Sequence, residues 1–179
     1  MKNSEIISVE EPAIAPNRDQ SSPPRRILLV EDDSEMCEIG AEVLIRSGYE
    51  VDTAADGADA WKALNDRSYD LLITDNKMPR VTGMELIKKL RSEDMTLLVI
   101  LASGTVPVEE LSRHPWLQLD AMLPKPFTTA QLLDTVNKVL NAANNARIRV
   151  ENDFRSGEGG GRGVRSHERP GLELPAREW

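Results

Sequence analysis

The sequence predicts an α/β protein with one five-stranded parallel sheet, doubly wound, with helices on both faces. Three observations carry this. Short apolar runs alternate with amphipathic stretches five times between residues 25 and 143, and such β-α alternation calls for parallel strands joined by crossover helices. The runs Ile27–Val30, Leu71–Thr74 and Leu97–Ala102 read as buried strands of such a sheet, the first of them unbroken in apolar residues, as strands covered on both faces are. Finally, 40% hydrophobic residues in a chain of 179 is enough for one packed core under an ordinary charged surface.

The elements follow in order. Ile27–Val30 is the first strand, and Met36, Ile39, Val43 and Leu44 then recur at helical spacing, with Gly48 placed as a glycine that ends a helix. Residues 49–54 alternate as a second strand, and Ala58, Trp61 and Leu64 mark a second helix. Leu71–Thr74 is the third strand, closed by Asp75, and Met84, Ile87 and Leu90 mark the helix after it. Leu97–Ala102 is the fourth strand, and residues 107–112 a short helix with proline near its first position. Residues 121–123 are the fifth strand. Thr128 and Gln131 form a capping box ahead of Leu132, Leu133, Val136, Val139 and Leu140.

The flanks read differently. Residues 1–24 are poor in apolar side chains and hold Pro12, Pro16, Pro23 and Pro24, so a disordered extension is expected. Residues 144–179, with five glycines between 157 and 163, read as a flexible Gly/Arg-rich tail. The domain is expected over residues 25–143, which also carry nearly all of the acidic excess. A net charge of −8 argues against nucleic acid or an anionic membrane as the main partner. The single cysteine, Cys37, excludes an internal disulfide and Cys-clustered zinc. No apolar run is long enough to span a bilayer, and the acidic start, with Glu5, Glu10 and Glu11, is unlike a signal peptide. A cytoplasmic location is expected.

In such a sheet, ligands bind at the carboxyl ends of the strands, where the strand order reverses. The first strand ends in Glu31-Asp32-Asp33, the third in Asp75, the fourth in Ser103-Gly104, and the fifth leads to Lys125 between Pro124 and Pro126. Carboxylates a few ångströms apart repel one another. A hard divalent cation relieves that repulsion, and oxygen ligands suit Mg²⁺. Lysine and a serine hydroxyl can hold phosphoryl oxygens, and a carboxylate can itself be the nucleophile. The chemistry this set fits is phosphoryl transfer onto Asp75.

At these residues the chain resembles the response-regulator receiver domain of two-component signalling. The matching segments are Ile27-Leu28-Leu29-Val30-Glu31-Asp32-Asp33, Asp70-Leu71-Leu72-Ile73-Thr74-Asp75-Asn76-Lys77-Met78-Pro79, Thr82-Gly83-Met84-Glu85-Leu86, Leu98-Val99-Ile100-Leu101-Ala102-Ser103-Gly104 and Leu123-Pro124-Lys125-Pro126-Phe127. The resemblance implies the flavodoxin-like receiver fold, with Asp75 as phosphoacceptor and Ser103 and Lys125 as its catalytic partners. It implies Mg²⁺ held by Glu31, Asp32, Asp75 and the backbone carbonyl of Lys77, and a cis bond between Lys125 and Pro126. The implied donor is a sensor histidine kinase or a histidine phosphotransfer protein. Such a protein catalyses its own phosphorylation and dephosphorylation without being a turnover enzyme. One position departs from the pattern: Met122 stands where receivers usually carry an aromatic, and a thioether lacks the ring's fixed shape.

Plainer readings exist for each residue. The acids after the first strand could cap a helix, and Asp33 or Ser34 is expected to do so. Cys37, Trp61 and Trp116 read as packing or surface residues, and His114 has no second metal ligand nearby. The 36 residues after 143 lack the pattern of a DNA-binding output domain, so the expected output is contact with a protein target or onward transfer of the phosphoryl group. The alternative function is a receiver-like interaction module that is never phosphorylated. An aspartyl phosphatase would want a second carboxylate two residues after Asp75, where Lys77 stands.

Overall fold

The computed structural model describes residues 23–105 and 107–157. The expected disorder of residues 1–22, and the tail beyond 157, lie outside the described residues. The elements alternate as expected: β1 (Arg26–Val30), α1 (Ser34–Arg46), β2 (Glu50–Ala54), α2 (Gly57–Asp66), β3 (Leu71–Asp75), α3 (Gly83–Ser92), β4 (Leu98–Ser103), α4 (Val108–Arg113), a 3₁₀ turn (Pro115–Leu117), β5 (Ala121–Pro124) and α5 (Thr129–Gly157). All strand pairings are parallel, in the order β2-β1-β3-β4-β5. The order reverses between β1 and β3, so the crevice opens where Glu31 and Asp75 leave their strands.

Strand β3 is buried at every residue, which explains why the central run is apolar to its end. Two apolar cores sandwich the sheet. One packs Leu28, Val30, Leu72 and Leu101 against α2 and α3 through Leu64, Met84, Ile87 and Leu90. The other packs Ile27, Leu29, Ile73 and Ile100 against α1 and α5 through Leu44, Leu132, Val136 and Leu140. Caps fix the helix starts. Asp33 caps α1, Asp56 caps α2, Thr82 and Glu85 form a capping box on α3, and Thr128 and Gln131 do the same on α5. Gly48 follows α1 at φ 82°, the left-handed region that glycine occupies without strain.

Two expectations need correction. The apolar spacing of Met36, Ile39, Val43 and Leu44 finds the helix, yet Met36 and Ile39 are exposed. Helix α1 buries Gly40 and Leu44 and packs Cys37 and Ala41 instead. An added Cβ on Gly40 would sit 3.1 Å from Leu29, so small residues let the helix lie close against the sheet. The second correction concerns residues 144–157, expected as flexible tail, which continue α5 to Gly157. The glycines that dominate that segment's composition begin only at 157, whereas Ala146, Arg147, Arg149 and Glu151 before them favour helix. By contacts the chain divides into units of residues 1–142 and 143–179. Among the residues of α5 whose burial is described, the last buried one is Leu140.

Candidate functional site

The site is assembled from three strand ends and two loops. Glu31 leaves β1 with its amide held by the Ala54 carbonyl at 3.1 Å, and it stays 8% exposed. Asp32 follows it into solvent, and Asp33 turns back to cap α1. Asp75 ends β3 at 8% exposure. Among the described residues, Glu31, Asp32 and Asp75 each offer a carboxylate oxygen, all within 4.8 Å of one another. Lys125, just past β5, bridges two of them, donating to Glu31 at 2.6 Å and to Asp75 at 2.8 Å. The Lys125–Pro126 bond is cis. The backbone amide of Lys77 donates to Asp75 Oδ1 at 3.2 Å.

The charges explain the titration. Burial pushes the Glu31 carboxyl above its ordinary range, the negative charges of Asp75 and Asp32 push the same way, and the hydrogen bond from Lys125 pulls back. Burial is the largest single influence on Lys125 and lowers its pKa. Its hydrogen bonds to Asp75 and Glu31, with both their charges, together outweigh burial and hold the ammonium above the usual lysine value. The Cys37 thiol is pushed up by burial and by the charges of Glu31 and Glu38, so it is not an activated nucleophile.

The donor set fits Mg²⁺. Octahedral coordination at about 2.1 Å spaces neighbouring oxygens by about 3 Å and opposite ones by about 4.2 Å. Three carboxylate oxygens within 4.8 Å of one another need only small side-chain movement to meet it. Three carboxylates against one ammonium also leave the negative excess that a divalent cation offsets.

The structure brings Glu31, Asp32, Asp75 and Lys125 together as the sequence suggests. Ser103 is placed differently. Its side chain is buried at the end of β4, and its hydroxyl donates to the Thr105 carbonyl at 2.6 Å while accepting from the Thr105 amide at 3.3 Å. Met122, at the departing position, is 38% exposed and borders a groove with Leu111, His114 and Leu119. His114 has a local role, with Nδ1 3.0 Å from the Glu110 carbonyl. Trp61 packs on the core beneath α2, with the Lys89 ammonium 4.2 Å over its ring.

Sequence reasoning leaves out two supports of the site. An added Cβ on Gly83 would lie 2.2 Å from the Asp75 carbonyl oxygen, so α3 can start under β3 only with glycine there. Arg80 sits at φ 64° and pairs with Asp56 and Asp59. The positive φ of an arginine has no sequence signature. The approach at Gly83 could be suspected from a glycine at the first position of a helix.

Comparison with known proteins gives a consistent picture. Residues 27–137 match the family model of the response regulator receiver domain. The chain is 35% identical over 130 residues to the transcriptional regulatory protein CpxR of Escherichia coli K12, covering 72% of this chain and 54% of that one. It thus spans about half the length of the first curated relatives it matches. It is 34% identical over 120 residues to the response regulator receiver protein CpdR of Brucella abortus, covering 66% of this chain and 99% of CpdR. Among solved structures, TrrA of Thermotoga maritima in complex with Mg²⁺-BeF aligns with a TM-score of 0.57 at 30% identity, over 64% of this chain and 98% of that one.

Proposed function

The chain belongs to the response regulator receiver domain family, and from that premise we propose that it accepts a phosphoryl group on Asp75 from a histidine kinase or a histidine phosphotransfer protein. The observation that carries this is the single lysine bridging Asp75 and Glu31 beside an exposed Asp32. An oxygen of Asp75 forms the new P–O bond as the P–N bond of the donor phosphohistidine breaks, and that bond's electron pair leaves with the imidazole nitrogen. Lys125, already on Asp75, holds a phosphoryl oxygen as the carboxylate charge passes to the phosphoryl group. Asp32, Glu31, Asp75 and the Lys77 carbonyl are the residues that would hold Mg²⁺. When bound, that ion supplies charge neutralisation for the acids and the phosphoryl oxygens. That TrrA, a similar protein, forms a complex with Mg²⁺-BeF supports a divalent cation beside the phosphoacceptor.

Ser103 provides the response. Its hydroxyl donates to Thr105 in the unmodified protein. Redirecting that hydrogen bond to a phosphoryl oxygen releases the Thr105 carbonyl and pulls on the loop that leads into α4. Phosphorylation thereby shifts an existing equilibrium of the face formed by residues 107–112, 121–123 and 128–140, where a downstream protein binds. With Met122 in the aromatic's place the coupling is looser and the shift partial. The protein acts in the cytoplasm, as a signalling switch and not a turnover enzyme. Among the described residues no helix is long and apolar enough to cross a membrane.

The test is intact-mass measurement after incubation with acetyl phosphate and Mg²⁺. One phosphoryl group is expected on the parent and none on Asp75→Asn. An equal adduct on Asp75→Asn would overturn the assignment. No adduct on the parent would leave the unphosphorylated interaction module.

A further inference from the structure

The loop from β3 to α3, residues 76–82, carries the carbonyl of Lys77. Its start is held by the Asn76 amide on the Ala102 carbonyl at 3.1 Å and the Lys77 amide on Asp75 at 3.2 Å, and three further ties follow. The Gly83 amide donates to the Asn76 carbonyl at 3.3 Å. The Gly57 amide donates to the Val81 carbonyl at 3.2 Å, and an added Cβ on Gly57 would lie 2.7 Å from Val81. The third tie is ionic. The Arg80 guanidinium pairs with Asp56 and, at 2.6 Å, with Asp59.

Asp56 is the unusual partner. Its side chain is 2% exposed, against 55% for Arg80. One of its oxygens is committed to capping α2, accepting from the amides of Ala58 at 2.8 Å and Asp59 at 3.0 Å. The other oxygen takes Arg80. A buried carboxylate held at both oxygens is a fixed anchor, because any displacement exposes an unpaired charge to a low dielectric. Arg80 meanwhile adopts a left-handed conformation that is strained for a non-glycine residue. The ion pair offsets that strain, so guanidinium and backbone turn hold one another in place. Arg80 lies three residues from Lys77 in this short loop, and the turn at Arg80 helps decide where the Lys77 carbonyl points.

We propose that Arg80 is a positioning residue for metal binding: clamped to the buried cap of α2, it presets the β3–α3 loop so that the Lys77 carbonyl meets a divalent cation beside Asp75. This rests on the phosphoacceptor reading and adds a residue to it. The clamp and the charge of Arg80 predict opposite signs. A cation near the acidic cluster repels Mg²⁺, so if charge alone mattered, removing Arg80 would tighten binding. If the clamp matters, removing it loosens binding, as losing the groups that orient a metal ligand typically does by 10–100-fold.

The experiment is titration with Mg²⁺ alone, by calorimetry and by amide chemical shifts, on the full chain. Arg80→Gly removes the guanidinium and also the left-handed strain, so no strain effect can mimic the result. Its affinity is expected to fall about tenfold, with the Lys77 and Met78 amides moving before metal is added. Arg80→Lys, which keeps the charge but not the planar fork, should fall between Arg80→Gly and the parent. Asp56→Asn keeps the α2 cap while weakening the pair. It should loosen binding too, and by no more when combined with Arg80→Gly than alone. Equal or tighter binding by Arg80→Gly, beside a parent that binds, overturns the clamp and leaves the phosphoacceptor reading intact. A parent that binds no Mg²⁺ overturns both.

Discussion

At the amino edge of the sheet the strand-entry acids Asp70, Glu50 and Asp120 each meet a cation or a backbone N–H, whereas at the carboxyl edge one lysine bridges two of three clustered acids. Asp70 accepts from Arg25 at 2.6 Å and from the Arg26 amide at 2.8 Å. Glu50 takes the Arg26 guanidinium, and Asp120 accepts from the Val99 amide at 2.8 Å. Arg91 satisfies four backbone carbonyls at once, those of Met95, Leu97, Leu117 and Gln118, at 2.7–3.0 Å. Among the described residues, Asp70, Glu50, Asp120 and Arg91 at that edge are thus all committed to protein partners. At the carboxyl edge Glu31 and Asp75 are buried beside Asp32, and among the described residues Lys125 is the cation that pairs with them. One fold therefore uses the same residue types for cohesion at one end and for unresolved charge at the other. Unresolved charge is what binds metal and phosphate.

Variants that act on one edge and not the other can break this comparison. The largest effect is expected from Gly83→Ala. Its Cβ would meet the Asp75 backbone, which cannot move without disturbing β3, so it should cost about 3 kcal/mol in denaturant unfolding. Because the clash is with Asp75 itself, acetyl-phosphate labelling should fall as well. Arg91→Met comes next. Removing a donor to four carbonyls should cost about 2 kcal/mol, yet labelling per folded molecule should equal the parent's. Lost labelling there would mean that the edges are not separable.

Asp32→Asn should do the reverse. Removing one of three clustered carboxylates relieves repulsion, so the melting temperature should rise, while Mg²⁺ affinity in calorimetry falls at least about tenfold. A fall in stability would show that Asp32 acts as a structural residue. The smallest effect belongs to Tyr69, whose hydroxyl donates to Asp52 at 2.9 Å. Burial, then that hydrogen bond and the charge of Asp52, push its pKa up to about 12. A raised pKa stabilises the fold fully below the ordinary value of 10, and this support is lost as the pH rises through about 12. Tyr69→Phe should thus lose under about 1 kcal/mol near neutral pH. Its difference from the parent should shrink and then change sign as the pH rises from 10 towards about 12, as followed by chemical denaturation with a tyrosinate absorbance titration beside it.

Much of this was legible in the chain alone. Five β-α units, the capping box at Thr128, the turn at Gly48 and the acids, serine and lysine at the strand ends are all local signals. A buried strand must be apolar, a helix start must satisfy its own amides, and a parallel sheet must carry its ligands at the carboxyl ends. The composition of residues 144–179 taken as a whole hides the helix over 144–157, because the glycines cluster from 157 onward.

Other features exist only in three dimensions. Which face of α1 is buried depends on how closely Gly40 can approach Leu29 and Leu132, and not on where the larger side chains fall. Whether Ser103 points to Asp75 or to Thr105 is decided by a loop hydrogen bond. The pairing of Arg80 with Asp56 joins residues 24 positions apart across two loops. Periodicity and caps record what each residue needs from solvent or from its near neighbours, so they are written locally. Ion pairs between loops and close backbone approaches depend on the distance between elements, which is set only when the two cores pack against the sheet.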